Sequence, residues 1–529
     1  MYTHVIVAIS ALKLFFIPVY HSTDFEVHRN WLAITFNLPI DKWYYDTTSE
    51  WTLDYPPFFA WLEYAHTFAA EYFDPNMLEL TNLDYKSDMT ILFQKLSLIF
   101  LDFIYILGVS WCTKLLNRGE QLAFILLVCN PGLLMVDHIH FQYNGFMYGI
   151  LMISISHLIK ANYLQGAIWF AILLNFKHIF LYIAPVYIVY LFRAYCFTVA
   201  SVDGEHTHWI SFSILNLCKL ALIVIAVFAA SFGPFLDHLP QILSRLFPFK
   251  RGLCHAYWAP NFWALYNFGD KVLQFTLPKL GMNVTKVEAS MTGGLVQEYS
   301  HAVLPSIVPL TTFALTCAAM APALYKLWSL CADRRYRAMS FVRCIIVCAT
   351  CSFMFSWHVH EKAILLTLIP LSFMSVLGET DAKLFLFLST VGHYSLFPLL
   401  YPKSLVGIKL LLLLTHVAIA FGNIPSLYEV TVSKKVKLRP MMRLPMLNYL
   451  ESLYLYGLLL LCFYENVFHI AWGFDKSLPF LPLMMTSVYC AIGVFYFWIA
   501  YYYYFMTFNL SWVPTLVTPS LLRHLKKTS

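Results

Sequence analysis

Apolar runs of bilayer length recur from one end of this 529-residue chain to the other. A backbone in hydrocarbon has to satisfy its own hydrogen bonds, so each run reads as a spanning helix. Counted at roughly 20 residues each, they give about fourteen spans. The expected fold class is an all-α polytopic membrane protein, a single membrane-embedded unit over 1–529. Two long polar segments interrupt the pattern, about 21–90 and 236–300. With 60% apolar and 12% charged residues, the chain has about half the charge of a soluble domain. That excludes an ordinary soluble enzyme, a disordered scaffold and a disulfide-built secreted module. A net charge of +6 from scattered basic residues argues against nucleic acid as a partner. Most of the twelve cysteines lie in or beside apolar runs. Cys348 and Cys351 have CxxC spacing, but inside a span and without a second pair, so they read as packing residues.

An even span count puts both termini on one side. Lys114, Arg118, Lys160, Arg193, Arg334, Arg335, Arg337, Lys434, Lys435 and Lys437 then share one face, whereas the short loops opposite carry few cations, such as Lys403 and Lys476. The positive-inside rule makes the first face cytosolic, with both termini, the basic loop 422–445 and the tail 506–529. The two long loops are then luminal or extracellular. The first run has no basic leader or small-residue cleavage site and reads as an uncleaved anchor. Lys526-Lys527-Thr528-Ser529 has the form of a dilysine signal for the retrieval coat of the endoplasmic reticulum; a basic juxtamembrane anchor is the plainer reading. Asn283-Val284-Thr285 is a glycosylation acceptor in the second luminal loop, and Asn509-Leu510-Ser511 falls on the cytosolic side, where it is silent. The basic loop reads as an orientation determinant and a contact for lipid headgroups.

Polar residues beside spans cost free energy unless they do a job. They concentrate on the luminal face. Five titratable groups fall within His21–Arg29, where Asp24 follows the first span directly. A carboxylate there suits a general base; a helix cap at Thr23 or Asp24 is the structural alternative. Trp51-Thr52-Leu53-Asp54-Tyr55-Pro56-Pro57 sets an acid between aromatics ahead of a double proline, which suits a sugar or simply a helix start. Asp137, His138, His140 and Gln142 lie in an expected luminal turn whose ligand spacing is poor for a metal. Arg245, Lys250 and Arg251 alternate with aromatics around a proline. They suit a lipid phosphate, or an interfacial turn with no ligand. His358, His360 and Lys362, between two spans, can hold an anionic phosphate, and Glu361 places a carboxylate nearby. Lys95, Asp102, Lys219, Arg343 and Lys409 stand isolated inside runs and read as snorkelling or packing groups, with a transport relay as the alternative.

Four of these stretches resemble one family: Ser22-Thr23-Asp24-Phe25-Glu26-Val27-His28-Arg29-Asn30-Trp31, Trp51–Pro57, Asp137–Gly145 and His358–Lys362. They look like the multispan, dolichyl-phosphate-glucose-dependent α-1,3-glucosyltransferases of N-glycan precursor assembly in the endoplasmic reticulum. The family has two closely related members, one adding the first glucose and the other the second. Ser-Thr-Asp-Phe-Glu-Val-His-Arg-Asn-Trp and the His at 358 are similar to the second-glucose form. The first-glucose form has Gly-Asp-Tyr-Glu-Ala-Gln-Arg-His-Trp and a Gln at the latter place. The resemblance covers about 24–400 and implies a GT-C type fold. It also implies dolichyl phosphate glucose as donor and a monoglucosylated, dolichyl-diphosphate-linked oligosaccharide as acceptor. Transfer from a β-linked donor to an α-1,3 bond inverts the configuration, and Asp24 is implied as the general base.

An inverting displacement needs a base on the acceptor hydroxyl and charge stabilisation on the leaving group. A lipid phosphate leaves as an anion, so no second carboxylic acid is required, and the scheme calls for no metal or other cofactor. His358, His360, Lys362, Arg245, Lys250 and Arg251 are expected to meet phosphate. Glu26, Trp51, Asp54, Tyr55, Asp137, His138, Gln142 and Glu361 are expected to meet sugar or acceptor. A secondary transporter would show broken helices in corresponding halves, and no halves are evident.

Overall fold

The computed structural model describes residues 2–201, 208–247, 252–254, 258–282, 301–429 and 442–508, and leaves the side chains of 198–201, 208–210 and 429 undescribed. Lys250, Arg251, Asn283, Asn509, the dilysine and nearly all of the basic stretch 434–443 lie outside those residues. Nine helices among the described residues are long and apolar enough to cross a membrane. Three shorter apolar helices accompany them: Tyr2–Phe15, Gly145–Ile159 and Tyr163–Phe176. The protein is a multi-pass, mostly helical membrane protein. One antiparallel hairpin, Phe197–Ser201 with His208–Phe212, is paired among the described residues.

The chain divides into two compact units. The first contains 2–247 and Lys326–Val342. It opens with α1 (Tyr2–Phe15), α2 (Asp24–Asn37), α3 (Pro57–Phe73) and α4 (Asp88–Thr113). The double proline does start a helix: Pro57 is its first residue, where a missing N–H costs nothing. Asp74 closes the polar segment by accepting from the Asn76 amide (3.1 Å), Tyr85 (2.9 Å), Thr90 (3.1 Å) and Ser87, while Ser87 caps α4. Arg29 of α2 grips Glu26 at 2.7 and 2.8 Å and donates to the carbonyls of Met77 and Glu79, pinning this segment against α2. Leu32, Ala70, Met77, Leu78 and Phe93 form the apolar cluster beneath. Within the bundle α4 meets Gly145–Ile159 with almost no side chain between. A Cβ on Gly149 would fall 2.6 Å from the backbone of Ile104 and Tyr105. Small residues permit such close helix approach in a membrane.

The second unit contains 252–325 and 343–508. Its buried charges are paired. Arg343 meets Asp381 at 2.7 Å, and the Tyr501 hydroxyl donates to the same carboxylate at 2.8 Å. Lys409 donates to the carbonyls of Phe397 and Leu400. The helix Phe262–Thr276 is capped by Asn261 and carries Asp270, which accepts from the amides of Ala302, Val303 and Leu304 at 2.8–2.9 Å. Two expectations change. Lys95, Asp102, Arg343 and Lys409 are not isolated, whereas Lys219 is exposed on its helix, and the segment expected as a turn at Asp137–Gly145 starts as a π-helix, Leu134–Phe141.

Candidate active site

Asp24 is the first residue of α2, where the positive end of the helix dipole favours an ionised carboxylate. Thr23 precedes it in helical conformation and makes no side-chain cap bond, so the capping alternative for Thr23 is not realised. The Gln142 side-chain amide donates to Asp24 Oδ2, and His140 Nε2 lies 3.3 Å from the same oxygen. About a quarter of the Asp24 side chain, 26%, remains exposed.

The residues reaching Asp24 come from the end of the π-helix. Phe141, between them, has φ +87°, a left-handed conformation costing a bulky residue about 1–3 kcal/mol. His140 and Gln142, on either side of it, reach the same Asp24 oxygen. Behind them Asn144 donates to Gln142 Oε1 at 3.0 Å and to Asp137 Oδ1 at 2.7 Å. Lys177 donates to Asn144 Oδ1 at 2.8 Å and stands 4.8 Å from the centre of the Tyr55 ring. Burial, then the carboxylates of Asp54, Asp24 and Asp137, push the Tyr55 hydroxyl well above its ordinary pKa. Three acids thus act electrostatically on a phenol over whose ring one lysine stands.

Beside them, Trp51 accepts through its carbonyl from Asn30 and Trp31 of α2 at 3.0 and 3.3 Å. Arg245, on the helix Leu239–Leu246, donates to Thr52 Oγ1 at 3.2 Å and to the Tyr44 carbonyl at 3.3 Å. One turn along α2, His28 meets Glu63 at 2.7 Å amid the rings of Trp31, Phe59, Phe141 and Tyr143. Burial acts to raise the Glu63 pKa, but His28 and His66 outweigh it and hold the carboxyl below its ordinary value.

In the second unit, His358 has φ +51°; its amide donates to the Leu253 carbonyl at 3.0 Å and Nδ1 donates to the Gly252 carbonyl at 2.8 Å. Val359 pairs with Cys254 in an isolated bridge, and the His360 ring lies 5.7 Å from that of His358. Glu361 and Lys362 open the short 3-10 helix Glu361–Ile364, with Glu361 buried and Lys362 half-buried. The segment that begins at Gly252, directly after Arg251 in the chain, is thus fastened to the histidine motif.

The sequence profile of the ALG6, ALG8 glycosyltransferase family matches residues 9–501. The chain belongs to that family. It is similar to the bovine dolichyl pyrophosphate Glc1Man9GlcNAc2 alpha-1,3-glucosyltransferase, 50% identical over 509 residues and 93% of each chain. The mouse protein of the same name is 48% identical over 95% of each chain. The Arabidopsis thaliana one is 45% identical over 93% of this chain and 95% of its own.

In this ALG6, ALG8 family member, Asp24, Gln142, Asp54, Tyr55, Trp51 and Arg245 all fall in the first unit. Glu26, Asp137 and His138, expected at sugar, are placed otherwise. Glu26 is held by Arg29. Asp137 is fully buried and caps Gly145–Ile159 through the amides of Asn144 and Gly145. His138 turns into the bundle, with Nε2 2.6 Å from Asp102. The sequence reading did not single out His140 as a site residue. Its two-residue spacing from Gln142 is the available signal, since residues i and i+2 share a side wherever the chain is extended.

Proposed function

We propose that this protein is the inverting enzyme that adds the second glucose to the N-glycan precursor. It would move glucose from dolichyl phosphate glucose, in α-1,3 linkage, onto the monoglucosylated dolichyl-diphosphate high-mannose oligosaccharide. The observation that carries this reading is the part-exposed Asp24 carboxylate, held by Gln142 and His140, in a chain whose relatives bear that enzyme's name.

Asp24 takes the proton of the acceptor hydroxyl as its oxygen attacks C1 of the donor glucose. The C1–O bond to phosphate breaks, and dolichyl phosphate departs with the electron pair. Attack from the face opposite the phosphate turns a β-linked donor into an α product. His358, His360, Lys362, Arg245, Lys250 and Arg251 are the cations assigned to that phosphate. Each charge-assisted contact is worth about 1.5–3 kcal/mol. Asp54, Tyr55, Trp51 and Glu361 are assigned to sugar hydroxyls and rings. The same reading takes the fold as GT-C type with about fourteen crossings of the endoplasmic-reticulum membrane. The site is luminal, both termini are cytosolic, and the terminal dilysine meets the retrieval coat.

The test is transfer in vitro from synthetic dolichyl phosphate glucose to acceptors carrying no glucose or one. Product from the one-glucose acceptor alone is expected; product from the unglucosylated acceptor alone would assign the first-glucose reaction instead.

A further inference from the structure

Lys95 and Asp102 stand two turns apart on one face of α4, both buried, and each reaches two other segments of the first unit. Asp102 Oδ2 lies 2.7 Å from Lys13 Nζ and 2.6 Å from His138 Nε2. Lys95 Nζ donates to the carbonyls of Tyr20 (3.0 Å), His138 (2.8 Å) and Ile139 (3.2 Å). Lys13 and Tyr20 are also seven residues apart, so the start of the chain runs antiparallel along α4, with 13 against 102 and 20 against 95. The π-helix is gripped at the same two levels, through the ring and the carbonyl of His138.

The Lys95 attachments lie directly upstream of Asp24 on one segment and of His140 and Gln142 on the other. Tyr20 is four residues before Asp24, and Ile139 immediately precedes His140. A bond from the Ser22 amide to the His140 carbonyl, 2.8 Å, joins the two segments beyond the clamp. Lys95 Nζ also sits 5.5 Å from the ring of Phe141, the residue with φ +87°. An ammonium has three N–H donors, and here all three go to main-chain carbonyls. No donor is left for a substrate phosphate, so the residue acts through what it holds.

We propose that Lys95 is a positioning residue for the transfer reaction. It fastens the Asp24 segment to the end of the π-helix, so that Gln142 and His140 hold the carboxylate in its working orientation. This rests on the reading of Asp24 as base. A base displaced by an ångström loses far more in the chemical step than in substrate binding.

The experiment compares purified full-length Lys95→Met, Lys95→Arg and Asp24→Asn in detergent with synthetic donor and acceptor. Lys95→Met is expected to lower kcat by about 10–100-fold while both KM values stay within about twofold. Lys95→Arg, which retains N–H donors for the same carbonyls, is expected to recover most of kcat. Unchanged kcat in Lys95→Met overturns the proposal. So does a loss that tracks only the folded fraction, with arginine no better than methionine. If Lys95→Met does not accumulate, Lys95→Gln, which offers two N–H donors on a shorter side chain where lysine offers three, is expected to lower kcat about two- to tenfold with both KM values held, and an unchanged kcat there overturns the proposal. Activity retained by Asp24→Asn would sink the base assignment itself. An inactive Asp24→Asn beside a fully active Lys95→Met sinks the Lys95 proposal alone.

Discussion

Gln142 donates its side-chain amide to Asp24 Oδ2 across 118 residues of chain. The contact joins the start of α2 to the end of the π-helix and defines which way the proposed base points. Asp24→Asn is expected to reduce kcat by about 10²–10⁴, the range for loss of general-base catalysis, in protein that still inserts and folds. Gln142→Leu removes one charge-assisted bond and is expected to lower kcat about ten- to a hundredfold. Steady-state kinetics on the purified variants measures both. Wild-type turnover by Asp24→Asn would remove it as base.

Lys362 is assigned to the leaving phosphate, so its loss should be felt by the donor. Lys362→Ala is expected to weaken use of dolichyl phosphate glucose about tenfold or more, with a smaller effect on the acceptor. Separate titrations of the two substrates read this out. An unchanged donor KM counts against the phosphate role.

Arg29 has no solvent exposure and spends its guanidinium on Glu26 and on two carbonyls. Arg29→Ala strands a buried carboxylate, a loss of about 3–5 kcal/mol. A lower thermal midpoint in detergent is expected, with KM unchanged in the fraction that stays folded. A KM change without loss of stability would instead place Glu26 and Arg29 at the substrate.

Glu63 and Asp270 give acid sensitivity a sign. At both, burial acts to raise the pKa, but their partners prevail and hold them below the ordinary 4.5 and 3.8. For Glu63 those partners are His28 and His66; for Asp270 they are chiefly the amides of Leu304, Ala302 and Val303. A carboxylate with a depressed folded pKa contributes stability that is fully present above its unfolded value. That contribution is lost as pH falls through the folded value. Thermal midpoints are expected to hold above about pH 4.5 and fall below it. Asp270→Asn should show a shallower acid limb, and an identical limb would exclude Asp270 as a contributor.

Gly149 has no room for a side chain against Ile104 and Tyr105. Gly149→Val must push α4 away from Gly145–Ile159, and overpacking of this kind costs about 1–3 kcal/mol or more. Less monodisperse protein on size exclusion is the expected result. A wild-type profile would mean that the two helices separate without cost.

Much of this molecule is legible along the chain. Hydropathy alone marks a multi-pass helical membrane protein, though nine described helices reach spanning length where about fourteen runs are counted. The double proline marks the start of α3, and the Asp24, Asp54 and His358 motifs carry the family resemblance. Other features are invisible there. Lys95 and Asp102 look isolated because their partners, Tyr20, His138 and Lys13, lie 36 to 89 residues away. Glu26, Asp137 and His138 look like sugar ligands until Arg29, the Asn144 and Gly145 amides and Asp102 are seen to occupy them. His140 becomes a neighbour of Asp24 only in the folded chain, where the end of the π-helix meets the start of α2. Transfer of a segment into lipid depends on residues summed over that segment, so local order suffices to determine it. The partner of a buried polar group depends on which helices converge and in what register. Only the packed structure decides that, and here it decides which acid stands part-exposed and which are buried as braces.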